Sequence, residues 1–407
     1  MRIIEVETLL MSHVLPREQR WRWNGGSIEG WNAAFVRIQT DQKLHGLGEV
    51  YFGAFVPEMI PPVVEDLKKH LIGEDPFRIG YLWQKINSVS KFWNRHGFGK
   101  SVIAGIDIAL HDLVGKATKV PVYQLLGGLC HPSMRTYASG GCSESAEVLV
   151  REIRQAQANG FGAYKWRLID SSRAGSLMKQ LREEVGPDFD IMVDIVQGSA
   201  PRPWSAATVL DVAAELAPHR PLWLEEPFAI EDKRAYRELR ARVPYSIAGG
   251  EGVSSLEEAW EFLQERAVDV LQPDATIAGG LSLCKMIGVL AYSQHVQIAS
   301  HSWGGAGSLM ANLHFALSNP SSTFTEYCQL SSPFREDLLE EPLRLVNGCI
   351  QPPSAPGLGI RLSDDVLSRY AYRESVGHVF RWETQGGTPA TGTKRVVESD
   401  QPQVVPL

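Results

Sequence analysis

The chain has 407 residues, of which 44% are hydrophobic and 21% are charged, the composition of an ordinary globular protein. Its formal net charge is -7 at pH 7 and no block of Lys and Arg stands out, which excludes the charge pattern of a nucleic-acid binder. No apolar run reaches the ~18 residues that a membrane helix needs, so we expect no membrane partner. The five cysteines are widely spread without a Cys-x-x-Cys pair, which predicts reduced thiols and a cytoplasmic location.

The first 130 residues predict a small α+β domain (residues 1–130). Alternating or mainly apolar runs predict strands over residues 2–11, 33–40 and 46–51, and helices follow. Between the first two strands, residues 17–31 are polar and carry three Arg and three Trp, among them Trp21 and Arg22. We predict a long loop or hairpin there, with the Gly-Gly pair at 25–26 at its turn.

Residues 131–340 alternate between apolar runs of strand length and amphipathic runs of helical length. The predicted strands are 134–139, 162–168, 190–195, 221–226, 245–250, 268–273, 296–301 and 322–327. Eight strand-helix repeats predict an α/β fold of the (β/α)8, TIM-type barrel class. An open doubly wound sheet is the alternative, which we disfavour because no Gly-x-Gly-x-x-Gly opens a helix after the first strand.

Two segments follow the barrel. Residues 341–372 contain Asn-Gly, Pro-Pro and Gly-Leu-Gly, which predict loops and short strands that return to the N-terminal domain. Residues 373–407 are polar, which predicts a C-terminal tail that packs little.

Three of the predicted barrel strands end in an acid, namely Asp194, Glu225 and Glu251. Barrel enzymes place their sites at the carboxyl ends of the strands. Surface or helix-capping positions explain most single acids, but three at successive strand ends indicate a shared site. Three carboxylates repel one another without a cation, and hard oxygen ligands suit Mg2+, so we predict a magnesium site. Side-chain alternation predicts that Glu225 and Glu226 face opposite ways, so that only one of them is a ligand.

The other strand ends carry the candidates for chemistry. Lys165 and Arg167 stand two residues apart on one strand, so both could point into the barrel mouth. Asp274 ends the sixth strand and His301 the seventh. A carboxylate beside an imidazole fixes its tautomer and raises its basicity, which makes His301 a candidate general base. Glu326 ends the eighth strand, a weaker signal by position alone.

These motifs together resemble the enolase superfamily, and within it the mandelate racemase subgroup. The motifs are Lys165-Trp-Arg167, Asp194, Trp223-Leu-Glu225-Glu-Pro227, Ala248-Gly-Gly-Glu251, Leu271-Gln-Pro-Asp274, His301-Ser-Trp-Gly and Glu326. The likeness covers roughly residues 1 to 365 in register. It implies that the N-terminal part and the C-terminal segment form a capping domain. Its loops, here 17–31 and 51–57, would close over the barrel mouth, which makes Trp21 and Arg22 candidates for substrate binding. Arg167, at the barrel mouth itself, is a third candidate.

The resemblance also implies the chemistry of the site. Asp194, Glu225 and Glu251 would bind Mg2+, and the first step would remove the proton alpha to a carboxylate of a small-molecule substrate. The metal and Lys165 would stabilise the enediolate, and a protonated Glu326 would donate a hydrogen bond to it. Such a proton is very weakly acidic, so the developing charge must meet fixed positive charge in a site shielded from water. Relatives of this kind are commonly homo-oligomers, which we expect here.

Two departures from the family pattern narrow the reaction. The second lysine of the usual Lys-x-Lys motif is Arg167 here, and arginine is a poor base. The position of an Asn, or in some dehydratases of a catalytic His, is Val196. Since His301 is then the one evident base, we predict a dehydratase of acid sugars rather than a two-base racemase. An epimerase or lactone cycloisomerase on the same scaffold, or a non-catalytic metal-binding paralogue, are the alternatives.

Overall fold

The computed structural model describes residues 1–23, 26–141, 143, 145–374 and 376–380, with the backbone alone for residues 18, 21–23, 379 and 380. The N-terminal strands are β1 (Ile3–Val14), β2 (Trp21–Trp23), β3 (Gly26–Ile28), β4 (Gly30–Thr40) and β5 (His45–Val50). Strands β1, β4 and β5 form an antiparallel sheet in that order. Strands β2 and β3 form the predicted hairpin, in which Trp23 pairs with Gly26.

Helices cover the sheet: α1 (Ile60–Lys68), α2 (Ile79–Ser90), α3 (Phe98–Thr118) and α4 (Val122–Leu125). Helix α3 is almost wholly buried and lies directly against β5. A Cβ atom on Gly46 would lie 2.0 Å from Ala109 O, and one on Gly48 would lie 2.0 Å from Gly105 O. Only glycine permits this approach. The contact fixes the end of β5, where Glu49 stands.

The barrel alternates strands and helices as predicted. Its elements are β6 (Met134–Ser139), α5 (Ala146–Ala158), β7 (Ala163–Arg167), α6 (Ala174–Val185), β8 (Asp190–Asp194), α7 (Ala206–Leu216), β9 (Trp223–Glu225), α8 (Lys233–Arg240), β10 (Ser246–Gly249), α9 (Leu256–Gln264), β11 (Val270–Leu271), α10 (Leu281–Gln294), β12 (Gln297–Ser300), α11 (Ala306–Ser318) and β13 (Ser322–Cys328). The eight strands β6 to β13 are parallel, and β13 pairs with β6, which closes the barrel. The predicted (β/α)8 barrel with an α+β domain before it is confirmed.

A layer of side chains fills the barrel interior, one from each strand. They are Tyr137, Ala163, Met192, Trp223, Ala248, Val270, Ala299 and Phe324. Large and small residues interdigitate in this layer, as in other barrels of this class. This layer fills the barrel interior, so the side chains on its far side can be reached only from the carboxyl ends of the strands.

The C-terminal segment contains α12 (Pro333–Glu336), β14 (Leu345–Val346), β15 (Cys349–Ile350), α13 (Asp364–Arg369) and β16 (His378–Phe380). Its first part stays on the barrel, because β15 pairs with β6. Its later part reaches the N-terminal domain, where Leu358 N donates to Asp112 Oδ1 at 2.8 Å and Ser12 N donates to Tyr370 O at 3.0 Å.

Strand β16 corrects one expectation from the sequence. The polar stretch from residue 373 was expected to pack little, yet His378–Phe380 pairs with Gly26–Ile28 of β3. The strand is only 3 residues long and lies within a polar stretch, which is why composition alone misses it. Residues 381–407 of the predicted tail lie outside the described residues.

Within the described part of the chain, no helix combines the length and apolar character that crossing a membrane requires. The cysteines that the structure describes are free, as predicted, namely Cys130, Cys284, Cys328 and Cys349.

Candidate active site

The carboxyl ends of the barrel strands bring the predicted site residues together. Their positions are Lys165 and Arg167 on β7, Asp194 at the end of β8, Glu225 at the end of β9, Glu251 and Asp274 just past β10 and β11, His301 directly after β12, and Glu326 on β13. All are buried except Glu251, whose side chain is 23% exposed. The side chains of Trp21 and Arg22 lie outside the described residues, so their substrate contact stays a prediction.

Lys165 is the central cation of the site. Its ammonium group is fully buried and donates to Glu225 Oε1, and it lies 3.0 Å from Glu326 Oε1 and 3.8 Å from Asp194 Oδ2. Burial alone would lower the pKa of Lys165, but Glu225 and Glu326 outweigh it and hold the pKa well above its usual value. Lys165 is therefore a fixed positive charge and not a base.

Arg167 is held from several sides. Its Nη1 donates to Gly140 O at 2.9 Å, and its Nε lies 3.6 Å from Asp194 Oδ2. The guanidinium also stacks on the ring of Trp303, 4.0 Å from the ring centroid. A guanidinium stays protonated in proteins, so Arg167 places a second fixed positive charge on the side of the cavity where β7 ends.

Asp194, Glu225 and Glu251 carry more negative charge than their surroundings neutralise. Burial raises the pKa of each of these carboxyls, and their mutual repulsion raises it further. A cation relieves both effects, and carboxylate oxygens are the ligands that Mg2+ prefers. The donor set thus fits a hard divalent cation.

Asp194, Glu225 and Glu251 are not arranged as a preformed metal site. Among the described residues, no group of three or more Asp, Glu, His or Cys side chains is gathered closely enough to hold a metal ion. Glu225 is engaged instead by Lys165 and by Trp223 Nε1, which donates to its Oε2 at 2.8 Å. The fit therefore rests on the chemistry and the repulsion of the three carboxylates.

Glu226 departs from the sequence expectation. Strand alternation predicted that it faces away from Glu225, but β9 ends at Glu225 and Glu226 has a φ of 47°. This left-handed conformation turns its side chain into the cavity, where it is buried. Burial, and then repulsion from Glu251 and Asp194, hold its pKa well above the usual value. Glu226 is thus a further carboxyl of the site that alternation could not reveal.

His301 and Asp274 form the predicted pair. His301 Nδ1 lies 2.8 Å from Asp274 Oδ2. Asp274 Oδ1 is itself fixed, because it accepts from Thr276 N at 2.7 Å and from Asn312 Nδ2 at 2.9 Å. This orientation leaves Nε2 facing the site, 3.4 Å from Glu251 Oε2. The geometry suits an imidazole that exchanges a proton through Nε2.

The charge on His301 depends on its carboxylate neighbours. Burial lowers the pKa of His301, but Glu251, Glu326 and Asp274 outweigh burial and raise it to about 10. Among these carboxylates Glu251 raises the pKa of His301 most, so a cation bound to Glu251 would lower this pKa again. The charge on Glu251 therefore influences the proton on Nε2.

The surroundings of Glu326 favour its ionised form. The resemblance implied a protonated carboxyl that donates a hydrogen bond. Burial does favour the neutral form, but Lys165, His301 and Arg167 outweigh it and lower the pKa of Glu326 to about 2. The carboxylate is ionised, and its Oε2 accepts from Ser302 N at 2.9 Å. Glu326 thus contacts both Lys165 and the segment that follows His301, and its predicted hydrogen bond to the substrate stays a prediction.

A cavity of about 400 Å3 lies above these groups. The barrel side contributes Arg167, Asp194, Val196, Ser199, Glu226, Glu251, Gly252, Ile277, His301 and Trp303, and the N-terminal and C-terminal parts contribute Ile28, Tyr51, Phe52, Phe55, Val56, Gly97 and His378. The predicted loop 51–57 therefore lines the cavity, and the longer loop contributes Ile28. His378 was not expected, because it belongs to the supposed tail.

Glu49 joins the N-terminal domain to the loop that carries His301. Its buried carboxyl accepts from Gly305 N at 2.8 Å and from Ser308 N at 2.9 Å, at the start of α11. Burial nevertheless raises its pKa to about 7. Sequence reasoning missed this contact, because 256 residues separate Glu49 from Gly305.

Glu49 should make stability depend on pH. Because its carboxyl binds a proton more tightly in the folded chain, its contribution to folding is full below pH 4.5 and is lost as pH rises to about 7. We expect a loss of about 3 kcal/mol from this group over that range. Denaturant unfolding of the wild type and of Glu49→Gln at several pH values measures it. The free energy of unfolding of Glu49→Gln should fall less steeply with pH than that of the wild type. Glu65→Gln, in which an exposed carboxyl is changed, is the control. Equal slopes for Glu49→Gln and the wild type would contradict the raised pKa of Glu49.

Known families match both the N-terminal domain and the barrel of this chain. Residues 148–366 match the family "Enolase C-terminal domain-like", and residues 7–127 match "Mandelate racemase / muconate lactonizing enzyme, N-terminal domain". D-galactonate dehydratase of Verminephrobacter eiseniae is 35% identical over 349 residues, covering 82% of this chain and 89% of that protein. D-galactarolactone cycloisomerase of Agrobacterium fabrum is 32% identical over 348 residues, covering 82% of this chain and 90% of that protein.

Solved structures agree with the sequence matches. A racemase from Streptomyces coelicolor with bound magnesium superposes with a TM-score of 0.80 at 27% identity, covering 91% of this chain and 100% of that one. The family matches run in the order in which the α+β domain and the barrel follow each other here. The chain is therefore an enzyme of the enolase superfamily and belongs to its mandelate racemase subgroup.

Proposed function

We propose that the protein is a Mg2+-dependent dehydratase of acid sugars. It would remove the proton alpha to a carboxylate and eliminate the beta hydroxyl, which gives a 2-keto-3-deoxy acid. The relative named as a galactonate dehydratase supports this reaction class. The observation that carries the proposal is the unequal pair at the reacting centre. His301 is an imidazole oriented by Asp274, whereas Arg167 is a guanidinium fixed by Gly140 and Trp303.

Asp194, Glu225 and Glu251 would hold the Mg2+, as their repulsion and oxygen donors suit it. When bound, the ion supplies positive charge to the substrate carboxylate as negative charge develops on it. Magnesium bound to the racemase of Streptomyces coelicolor supports this choice of ion. Engagement of Glu251 would also lower the pKa of His301, which frees Nε2 to accept a proton.

The protein groups then divide the work. His301 Nε2 takes the proton from carbon 2, and the electron pair of that C–H bond moves into the carboxylate to form the enediolate. The ammonium group of Lys165 stabilises this charge. The protonated His301 next gives the proton to the oxygen on carbon 3, the C–O bond breaks, and water leaves. The remaining enol becomes the 2-keto acid, so one histidine serves as base and then as acid.

The test is a screen of mono- and diacid sugars with Mg2+, followed by detection of 2-keto acids. Formation of a 2-keto-3-deoxy acid supports the proposal. A lactone cycloisomerase is the second candidate, because the relative of that name is 32% identical. Opening or isomerisation of a sugar lactone without net loss of water would favour it over dehydration.

Arg167→Lys tests the one-base reaction directly. A lysine loses its proton more readily than an arginine, and position 167 lies farther from Glu326 than Lys165 does, at 4.0 Å against 3.0 Å. The variant would therefore offer a base on a second side of the substrate carbon. We expect the variant to exchange or epimerise carbon 2 of the substrate more than the wild type and to form less keto acid. NMR of the recovered substrate in D2O measures this. An Arg135→Lys variant, in which an exposed Arg on β6 is changed, is the matched control.

A further inference from the structure

Two chemically different groups of residues line the cavity. Its charged residues, Arg167, Asp194, Glu226, Glu251 and His301, all come from the ends of barrel strands or the residues just after them. The rest of the lining includes a wall from the N-terminal and C-terminal parts, and most of the described members of this wall are apolar. A substrate whose carboxylate lies among the charged groups would have this wall within the same cavity for its other end.

The described residues of the wall offer few polar partners. Ile28, Phe52, Phe55 and Val56 have no polar side-chain atom, and Ile277 and Trp303 extend the apolar surface onto the barrel side. His378 is uncharged, because burial lowers its pKa to about 4, and it contacts Ala54 O through Nδ1 at 3.1 Å. Among the described wall residues, the hydroxyl of Tyr51 and the ring of His378 are the polar side-chain groups, so this part of the wall provides more apolar contact area than hydrogen bonding.

Aromatic rings hold this wall in place. The ring of Tyr51 lies 5.9 Å from that of His301 and 5.5 Å from that of Phe55. Phe55 in turn lies 4.5 Å from His378. The rings form a continuous surface from the proposed base to β16, so the apolar end is built into the fold and does not need to be assembled by the ligand.

We propose that the substrate is a 2,3-dihydroxy carboxylate with an apolar distal end, an alkyl or aryl group that packs against this wall. The inference rests on the dehydration proposed above for the 2,3-dihydroxy carboxylate end, which such a substrate shares with acid sugars, and it differs from that proposal at the distal end, which would not be that of a sugar. A hexonate would bring three further hydroxyl groups to the wall. Each buried hydroxyl without a partner weakens binding by roughly tenfold, whereas an apolar tail gains by leaving water.

Calorimetry with Mg2+ tests the inference independently of turnover. We would compare D-galactonate with 2,3-dihydroxy-4-phenylbutanoate, using 2,3-dihydroxybutanoate as the tail-less reference. The phenyl compound should bind roughly tenfold or more tightly than either of the others. D-galactonate that binds as tightly as the phenyl compound would overturn the inference.

A variant of the wall tests whether these affinities depend on the wall. Val56→Thr keeps the size of the side chain and adds a hydroxyl to the wall, so it should narrow the preference for the phenyl compound by roughly 3- to 10-fold. Val89→Thr on the exposed face of α2 is the control. An unchanged preference in Val56→Thr would count against the wall as the binding surface.

The outcomes separate this inference from the function on which it rests. If the phenyl compound binds tightly and no tested acid loses water, the dehydration is wrong and the apolar end stands. If galactonate binds best and is dehydrated, the apolar end is wrong and the dehydration stands.

Discussion

His301→Asn is expected to lower keto-acid formation by roughly a hundred- to ten-thousand-fold, the usual contribution of a general acid-base group. Asparagine can still donate to Asp274, so the local packing should survive while proton transfer is lost. The test is to measure kcat of the wild type and of the variant with the best substrate of the acid-sugar screen and excess Mg2+. The affinity for that substrate should change far less than kcat, because the substitution removes a reacting group and not the cavity wall.

His96→Asn is the matched control for this variant. His96 also faces a carboxylate, with Nδ1 3.0 Å from Glu258 Oε1, but its side chain is 55% exposed and lies outside the cavity. The control should keep the activity of the wild type. Full activity in His301→Asn would show that another group removes the proton, and the assignment of the base would fall.

Lys165→Met should cost both activity and stability. Methionine removes the charge that would stabilise the enediolate, and loss of one such group lowers kcat by roughly a hundred- to a thousand-fold. It also leaves Glu225 and Glu326 buried without their cation, which destabilises a fold by about 3 to 5 kcal/mol. Mg2+ should restore part of this stability, since it meets the same excess of negative charge, but it should not restore activity.

Lys116→Met separates the two effects of that substitution. Lys116 lies 2.7 Å from Asp112 Oδ2 in the N-terminal domain, so the change also removes a lysine-carboxylate ion pair. Chemical unfolding with and without Mg2+, together with kcat, compares the two variants. Lys116→Met should lose stability without gaining it back from Mg2+ and should remain active. A Lys165→Met protein with a tenth or more of wild-type activity would contradict the proposed role.

The sequence predicted the barrel well because its signal is local and repeated. Each strand is a short apolar run, and each run is followed by an amphipathic helix, so eight repeats identify the fold before any contact is known. The acids at the strand ends follow from the same order, since parallel strands present their carboxyl ends at one mouth. This geometry is why Asp194, Glu225 and Glu251 could be grouped from sequence alone.

Other features depend on contacts that no local pattern contains. Glu226 enters the cavity because the strand stops one residue earlier and the backbone takes a positive φ. The lowered pKa of Glu326 depends on Lys165 and Arg167 of β7 and on His301, which follows β12. The strand at His378–Phe380 pairs with β3 through its backbone, and so short a run inside a polar stretch gives no clear sign of it in the sequence.

The most direct test of the account follows the fate of the proton on carbon 2. The wild type and Mg2+ would be incubated in D2O with the substrate found by the screen, and NMR would monitor products and recovered substrate. The account predicts a 2-keto-3-deoxy acid with deuterium at carbon 3, while the recovered substrate keeps its configuration at carbon 2. A substrate epimerised at carbon 2 without keto acid would contradict elimination by the single base His301.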